Sequence, residues 1–150
     1  MLEQIFTISF LTAFLTAAVR MAVPLIYAGL GETFLERTGI LNIGMEGVML
    51  GGALFSFAGA LLSGSLAVGL VCGMLGGLAV SAIHGFLCIN LSQNQSVSGI
   101  ALNIFMLGLT SFLYKILTAG QSYQDIETIP TMAIPVLSSI PLVGNAFFNQ

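Results

Sequence analysis

Long apolar stretches alternate with short polar breaks along this chain, and the stretches are of one characteristic length. A helix needs about 20 apolar residues to cross the hydrocarbon of a bilayer. Four segments reach that length: Ile5 to about Leu30, Ile40 to about Leu62, Leu66 to about Leu91, and Val97 to about Leu117. Backbone in hydrocarbon must satisfy its own hydrogen bonds, which makes each segment a helix. The two-residue alternation of a membrane barrel is not visible. The pattern predicts an all-α integral membrane protein, a polytopic helical bundle with about four transmembrane helices.

The breaks differ in character. Gly31–Gly39 holds Glu32, Glu36 and Arg37, and Ser63–Ser65 reads as a tight turn. Ser92–Ser96 is polar and uncharged. Thr33-Phe-Leu-Glu36 fits a capping box, which predicts a short surface helix starting at Thr33 and ended by Gly39. From Gly120 onward, Asp125, Glu127, Pro130, Pro135 and Pro141 make an acidic, proline-punctuated stretch. Pro135 and Pro141 argue against a continuous helix there. Residues 120–150 are expected to form an extracytoplasmic loop leading to a fifth span beyond Gln150. Arg37 is the clearest inter-span cation, so the positive-inside rule places its loop in the cytoplasm and the 120–150 loop outside. Lys115, at the outer end of span four, opposes that assignment.

Composition removes whole classes of function. Of 150 residues, 57% are hydrophobic and 6% charged, against about 25% charged in soluble domains. Mean hydropathy is +1.04. The net charge of −3 gives no basic field for nucleic acid. Glu3 and the absence of a positive n-region argue against a cleaved signal peptide. Cys72 and Cys88 would lie about 24 Å apart along one helix, too far for a disulfide, which needs Cα atoms within roughly 7 Å. With one His and no Cys-x-x-Cys, no metal site is expected. No phosphate-cradling loop and no nucleophile elbow occurs, so no catalytic residue is expected and the chain is expected to bind no ATP itself.

Two features remain as candidates. Gly69, Gly73, Gly77, Ser81 and Gly85 form a stripe of small residues at four-residue spacing, and Gly52, Ser56, Ala60 and Gly64 form a second. Such stripes let helix backbones approach closely, as packing within one subunit or as a sliding contact in a transporter. Arg20 and Glu46 lie at membrane depth, where an Arg or Asp near a helix centre is unfavourable by about 2.5–3.5 kcal/mol. They either snorkel, pair or sit at a helix end, or they line an aqueous cavity. His84 and Asn103 suit interhelical hydrogen bonds.

The motifs carry further than the periodicity. Pro24-Leu-Ile-Tyr-Ala-Gly-Leu-Gly-Glu32 and Glu36-Arg-Thr-Gly-Ile-Leu-Asn-Ile-Gly-Met-Glu-Gly47 resemble the signature of bacterial ABC-importer permeases of the nucleoside type, within the branched-chain amino-acid and ribose permease superfamily. Gln95-Ser-Val-Ser-Gly-Ile-Ala-Leu-Asn103, Gly108-Leu-Thr-Ser-Phe112 and Ile134–Gly144 resemble the same family in collinear order. Ser96 stands where an aliphatic residue is expected. The resemblance implies a multi-pass protein of the bacterial cell membrane that forms a translocation pathway for purine-type nucleosides. It implies a second permease subunit, cytoplasmic ATPase subunits that use the ATP, and an extracytoplasmic substrate-binding lipoprotein. Family permeases are longer, so residues 1–150 are expected to be the N-terminal part of the permease domain. Asn42, Glu46 and Asn103 are the residues expected near the substrate pathway. The competing readings are a permease for another solute such as a sugar, a membrane scaffold or accessory subunit, and an intramembrane enzyme built on Glu46 and His84.

Overall fold

The computed structural model describes residues 7–119, and they form four helices with no strand among the described residues. These are α1 (Ile8–Glu36), α2 (Met45–Ser63), α3 (Leu66–Gly85) and α4 (Gln95–Thr118). A π-helical turn, Phe86–Asn90, extends α3. All four are long and apolar enough to cross a membrane. The described residues divide into two compact units, one ending at Leu30 and the other beginning at Gly31. In the first, α1 runs uninterrupted through Pro24, with Phe14, Met21, Leu25, Ile26 and Tyr27 all exposed.

The second unit is built on the α2–α3 contact, and small residues set its closeness. A Cβ added to Gly69 would sit 2.8 Å from Ala60 Cβ and 2.9 Å from Ser56 O. One added to Gly73 would sit 2.9 Å from Ser56 Cβ and 3.1 Å from Gly52 O. The contact relaxes along the stripe. The same atom on Gly77 would meet Val48 Cγ1 at 3.9 Å, and on Gly85 it would meet nothing within 4 Å. Ser81 is half-buried. On the next face Gly76 lies under the Phe55 ring and Gly51 under Val80. Val80 then joins Leu102 and Met106 of α4 in the buried core, with Val48, Leu50 and Leu109 around it.

Helix ends depart from the hydropathy pattern at several points. Thr33–Glu36 starts no surface helix. It is the last turn of α1, which continues past Leu30 to Glu36. A capping box requires a non-helical Thr, and here the preceding residues are already helical. Gly39 ends α1 instead: its φ is +84°, its N–H bonds Glu36 O at 3.0 Å, and Ile40 N–H bonds Leu35 O at 3.4 Å. That pair of bonds is a Schellman closure with glycine in the left-handed position. Helix α2 begins at Met45 rather than Ile40, because residues 40–44 are held open by side chains from elsewhere. Gly64 closes α2 with φ +65°, its N–H bonding Ala60 O at 2.9 Å. Asn94 caps α4, accepting Ser96 N–H at 3.0 Å and Val97 N–H at 3.2 Å. The expectations for Asp125, Glu127, the three later prolines and the 120–150 loop lie outside the described residues.

Candidate functional site

Between Gly39 and Gly44 an apolar sequence, Ile40-Leu-Asn-Ile43, runs without helical hydrogen bonds. Backbone groups left without helical bonds need partners from elsewhere. Here one face of α4 supplies them. Gln95, Gly99 and Asn103 follow one another at four-residue spacing and lie on that face. Gln95 Oε1 accepts Leu41 N–H at 2.7 Å, and its Nε2 donates to Gly39 O at 3.4 Å. Asn103 Oδ1 accepts Gly47 N–H at 2.7 Å, and its Nδ2 donates to Ile43 O at 3.0 Å. A primary amide thus grips one backbone carbonyl and one backbone N–H at each end of the segment.

Asn103 also completes α2. Gly44 stands at the N-cap of α2 and makes no side-chain cap bond. Gly47 occupies the third helical position, whose N–H is the one an N-cap side chain normally satisfies. Asn103 supplies that acceptor from a different helix. The approach is close: a Cβ on Gly99 would lie 2.7 Å from Gly44 N and 3.1 Å from Ile43 Cβ, and one on Gly47 would lie 3.1 Å from Asn103 Oδ1. Glycine at both positions is what lets the two backbones meet.

The other expected pathway residues sit at the same break. Asn42 is buried, and its N–H donates to Glu32 Oε1 at 2.7 Å. Glu46 lies in the first turn of α2 with its carboxylate exposed, where the positive end of the helix favours it. The segment is therefore fixed from three directions, by Glu32 of α1 and by Gln95 and Asn103 of α4. Glu32, Gln95 and Gly99 fall within the motifs quoted from the sequence but were not expected near the pathway. The Gln95–Gly99–Asn103 spacing was a usable signal for two of them, while nothing local marks Glu32.

A second polar cluster joins the π-helical turn to the start of α4. His84 is only 2% exposed. Cys88 Sγ lies 3.6 Å from His84 Nε2 and 3.3 Å from Ser98 Oγ. Ser98 Oγ lies 3.4 Å from His84 Nδ1 and donates to Gln95 O at 3.2 Å. Farther along the α2–α4 seam is a mainly apolar groove of about 400 Å³. Phe57 and Tyr114 line it, with their ring centroids 5.3 Å apart. The Thr110 and Ser111 hydroxyls in its lining bond to carbonyls of their own helix.

Comparison with known proteins adds a family. The sequence model of the family described as "Branched-chain amino acid transport system / permease component" matches residues 14–147. A Haloferax volcanii protein named "Putative glucose ABC transporter permease protein TsgC13" is 41% identical over 146 residues, covering 95% of this chain and 43% of that protein. The guanosine ABC transporter permease protein NupQ of Bacillus subtilis is 34% identical, covering 95% of this chain and 47% of its own length. The nucleoside ABC transporter permease protein NupC of Lactococcus lactis is 35% identical over 85% of this chain and 42% of that protein. The chain thus spans less than half the length of these relatives. No solved structure matches it.

Proposed function

This chain belongs to the family of branched-chain amino acid transport system permease components, and from that premise we propose that it forms part of the translocation pathway of an ATP-driven nucleoside importer. It is a multi-pass integral protein of the cell membrane. The observation that carries the solute reading is that two relatives matched over most of this chain are named for guanosine and nucleoside transport. A second reading, glucose or another sugar, is favoured by the Haloferax relative at 41% identity. The two readings share a chemistry, because a nucleoside carries a polyhydroxylated sugar ring.

In the proposed importer the chain contributes helices and polar lining rather than chemistry. ATP is hydrolysed by separate cytoplasmic subunits, a second permease subunit completes the pathway, and an extracytoplasmic lipoprotein delivers the solute. Asn42, Glu46 and Asn103 border the pathway in different capacities. Asn103 fixes the non-helical segment, Asn42 belongs to that segment, and the exposed Glu46 carboxylate faces whatever passes the start of α2. Motion follows from differential stabilisation of two arrangements by the ATPases. Cells carrying or lacking the gene, tested with labelled guanosine and unlabelled competitors, distinguish the solutes. Guanosine uptake lost on deletion and competed by nucleosides, but not by glucose, supports the nucleoside reading. Loss of glucose uptake with guanosine uptake intact replaces it with the sugar reading.

A further inference from the structure

The break between α1 and α2 leaves two acceptors unanswered. Glu32 Oε2 and Asn42 Oδ1 are buried and accept no hydrogen bond, and Asn42 as a residue is 93% buried, with 7% of its surface exposed. The two are neighbours. The other oxygen of the same Glu32 carboxylate accepts Asn42 N–H at 2.7 Å, which joins the two residues at one peptide N–H. Burying an unpaired polar oxygen is strongly unfavourable, most of all on a carboxylate.

Among the described residues, no donor bonds either oxygen. The amide donors of Gln95 and Asn103 go to Gly39 O and Ile43 O. Arg37, the next cation along the chain, is exposed and gives Glu32 Oε2 no hydrogen bond. Two helix ends of opposite partial charge meet at this point, because α2 begins with its positive end just beyond Asn42. Glu32 lies near the C-terminal end of α1, which carries partial negative charge, and the last turn of α1 contains no basic residue.

We propose that Glu32 Oε2 and Asn42 Oδ1 bind a small monovalent metal cation, which fastens the end of α1 to the non-helical segment. The donor set decides the class. Both ligands are hard oxygens, which suit alkali and alkaline-earth ions rather than soft metals. One carboxylate and one neutral amide carry a single negative charge, matched by a single positive one. Gly44 packs close to Asn42 Oδ1. A Cβ at Gly44 would lie 3.1 Å from that oxygen. The inference holds whichever solute is carried.

Sodium is the probe. The intact transporter, purified in detergent, is melted in sodium chloride and in choline chloride at equal ionic strength, and saturable binding of radioactive sodium is measured in parallel. The parent should melt about 3 °C or more higher in sodium and bind sodium saturably. Glu32→Gln retains an acceptor for Asn42 N–H but loses the charge, and should lose both effects. Asn42→Asp adds a second negative charge and should make calcium stabilising where it is not in the parent. Absence of saturable sodium binding to the parent overturns the proposal, as does full retention of that binding in Glu32→Gln. If Glu32→Gln does not fold, parental binding and the calcium response of Asn42→Asp decide the question.

Discussion

Replacing Asn103 by Ala removes two contacts at once, and their contributions can be worked out separately. Loss of the acceptor for Gly47 N–H removes the N-cap of α2, and losing a cap costs about 0.5–2 kcal/mol. Loss of the donor to Ile43 O removes a bond worth about 0.5–1.5 kcal/mol net. Ile43 O lies toward the exposed side, so water recovers part of that second contribution. The expected destabilisation is therefore about 1–3 kcal/mol. Asn103→Asp separates the two contributions. A carboxylate still caps Gly47, at the positive end of α2, but offers no donor to Ile43, so it should fall between Asn and Ala. The assay is reversible unfolding in detergent combined with amide hydrogen exchange. Exchange at Gly47 should accelerate in the Ala variant and stay near the parental rate in the Asp variant. A loss below about 0.5 kcal/mol, the range of ordinary surface substitutions, with unchanged exchange at Gly47, would refute the trans-capping argument.

Other predictions follow from the same geometry. Gly73→Leu drives a bulky side chain into Ser56 and Gly52 and should destabilise by about 1–3 kcal/mol; Val71→Leu, on an exposed face, should change stability little, and equal effects in the two melts would contradict the packing. Gly39→Ala imposes a Cβ on a φ of +84° and should lower stability by about 1–2 kcal/mol in the same unfolding assay, a neutral result counting against the Schellman closure. With single cysteines and a membrane-impermeant reagent, Ser122 should label in intact cells and Thr38 only after permeabilisation, while the reverse pattern would invert the topology.

Hydropathy alone located the four helices, because lipid forces each apolar run of sufficient length to satisfy its own backbone. It placed the start of α2 five residues early. Ile40-Leu-Asn-Ile43 is as apolar as the helix that follows, and it is held open by Glu32 and by Gln95 and Asn103, the latter two more than fifty residues away. No local periodicity carries that information. The end of α1 was misplaced for a related reason, since the Thr33–Glu36 spacing fits a cap equally well inside a helix. The four-residue glycine period was visible in the sequence, and Gly69 and Gly73 do lie against α2. Nothing in the period distinguished them from Gly85, which meets no neighbour within 4 Å. The π-helical turn after Gly85 had no sequence signal. At the candidate site the sequence offered Asn42, Glu46 and Asn103, each a polar residue in an apolar run. Glu32 was hidden because its role depends on the chain turning back after Gly39.

Transport itself tests the account most directly. The intact permease, reconstituted with the proposed ATPases and substrate-binding lipoprotein, is assayed for ATP-dependent accumulation of labelled guanosine, with Glu46→Gln alongside. The account predicts accumulation well above empty liposomes for the parent, and clearly lower uptake by Glu46→Gln at equal incorporation, since the variant keeps the shape and removes the exposed charge at the start of α2. No ATP-dependent accumulation by the parent, or uptake by Glu46→Gln equal to it, would contradict the account.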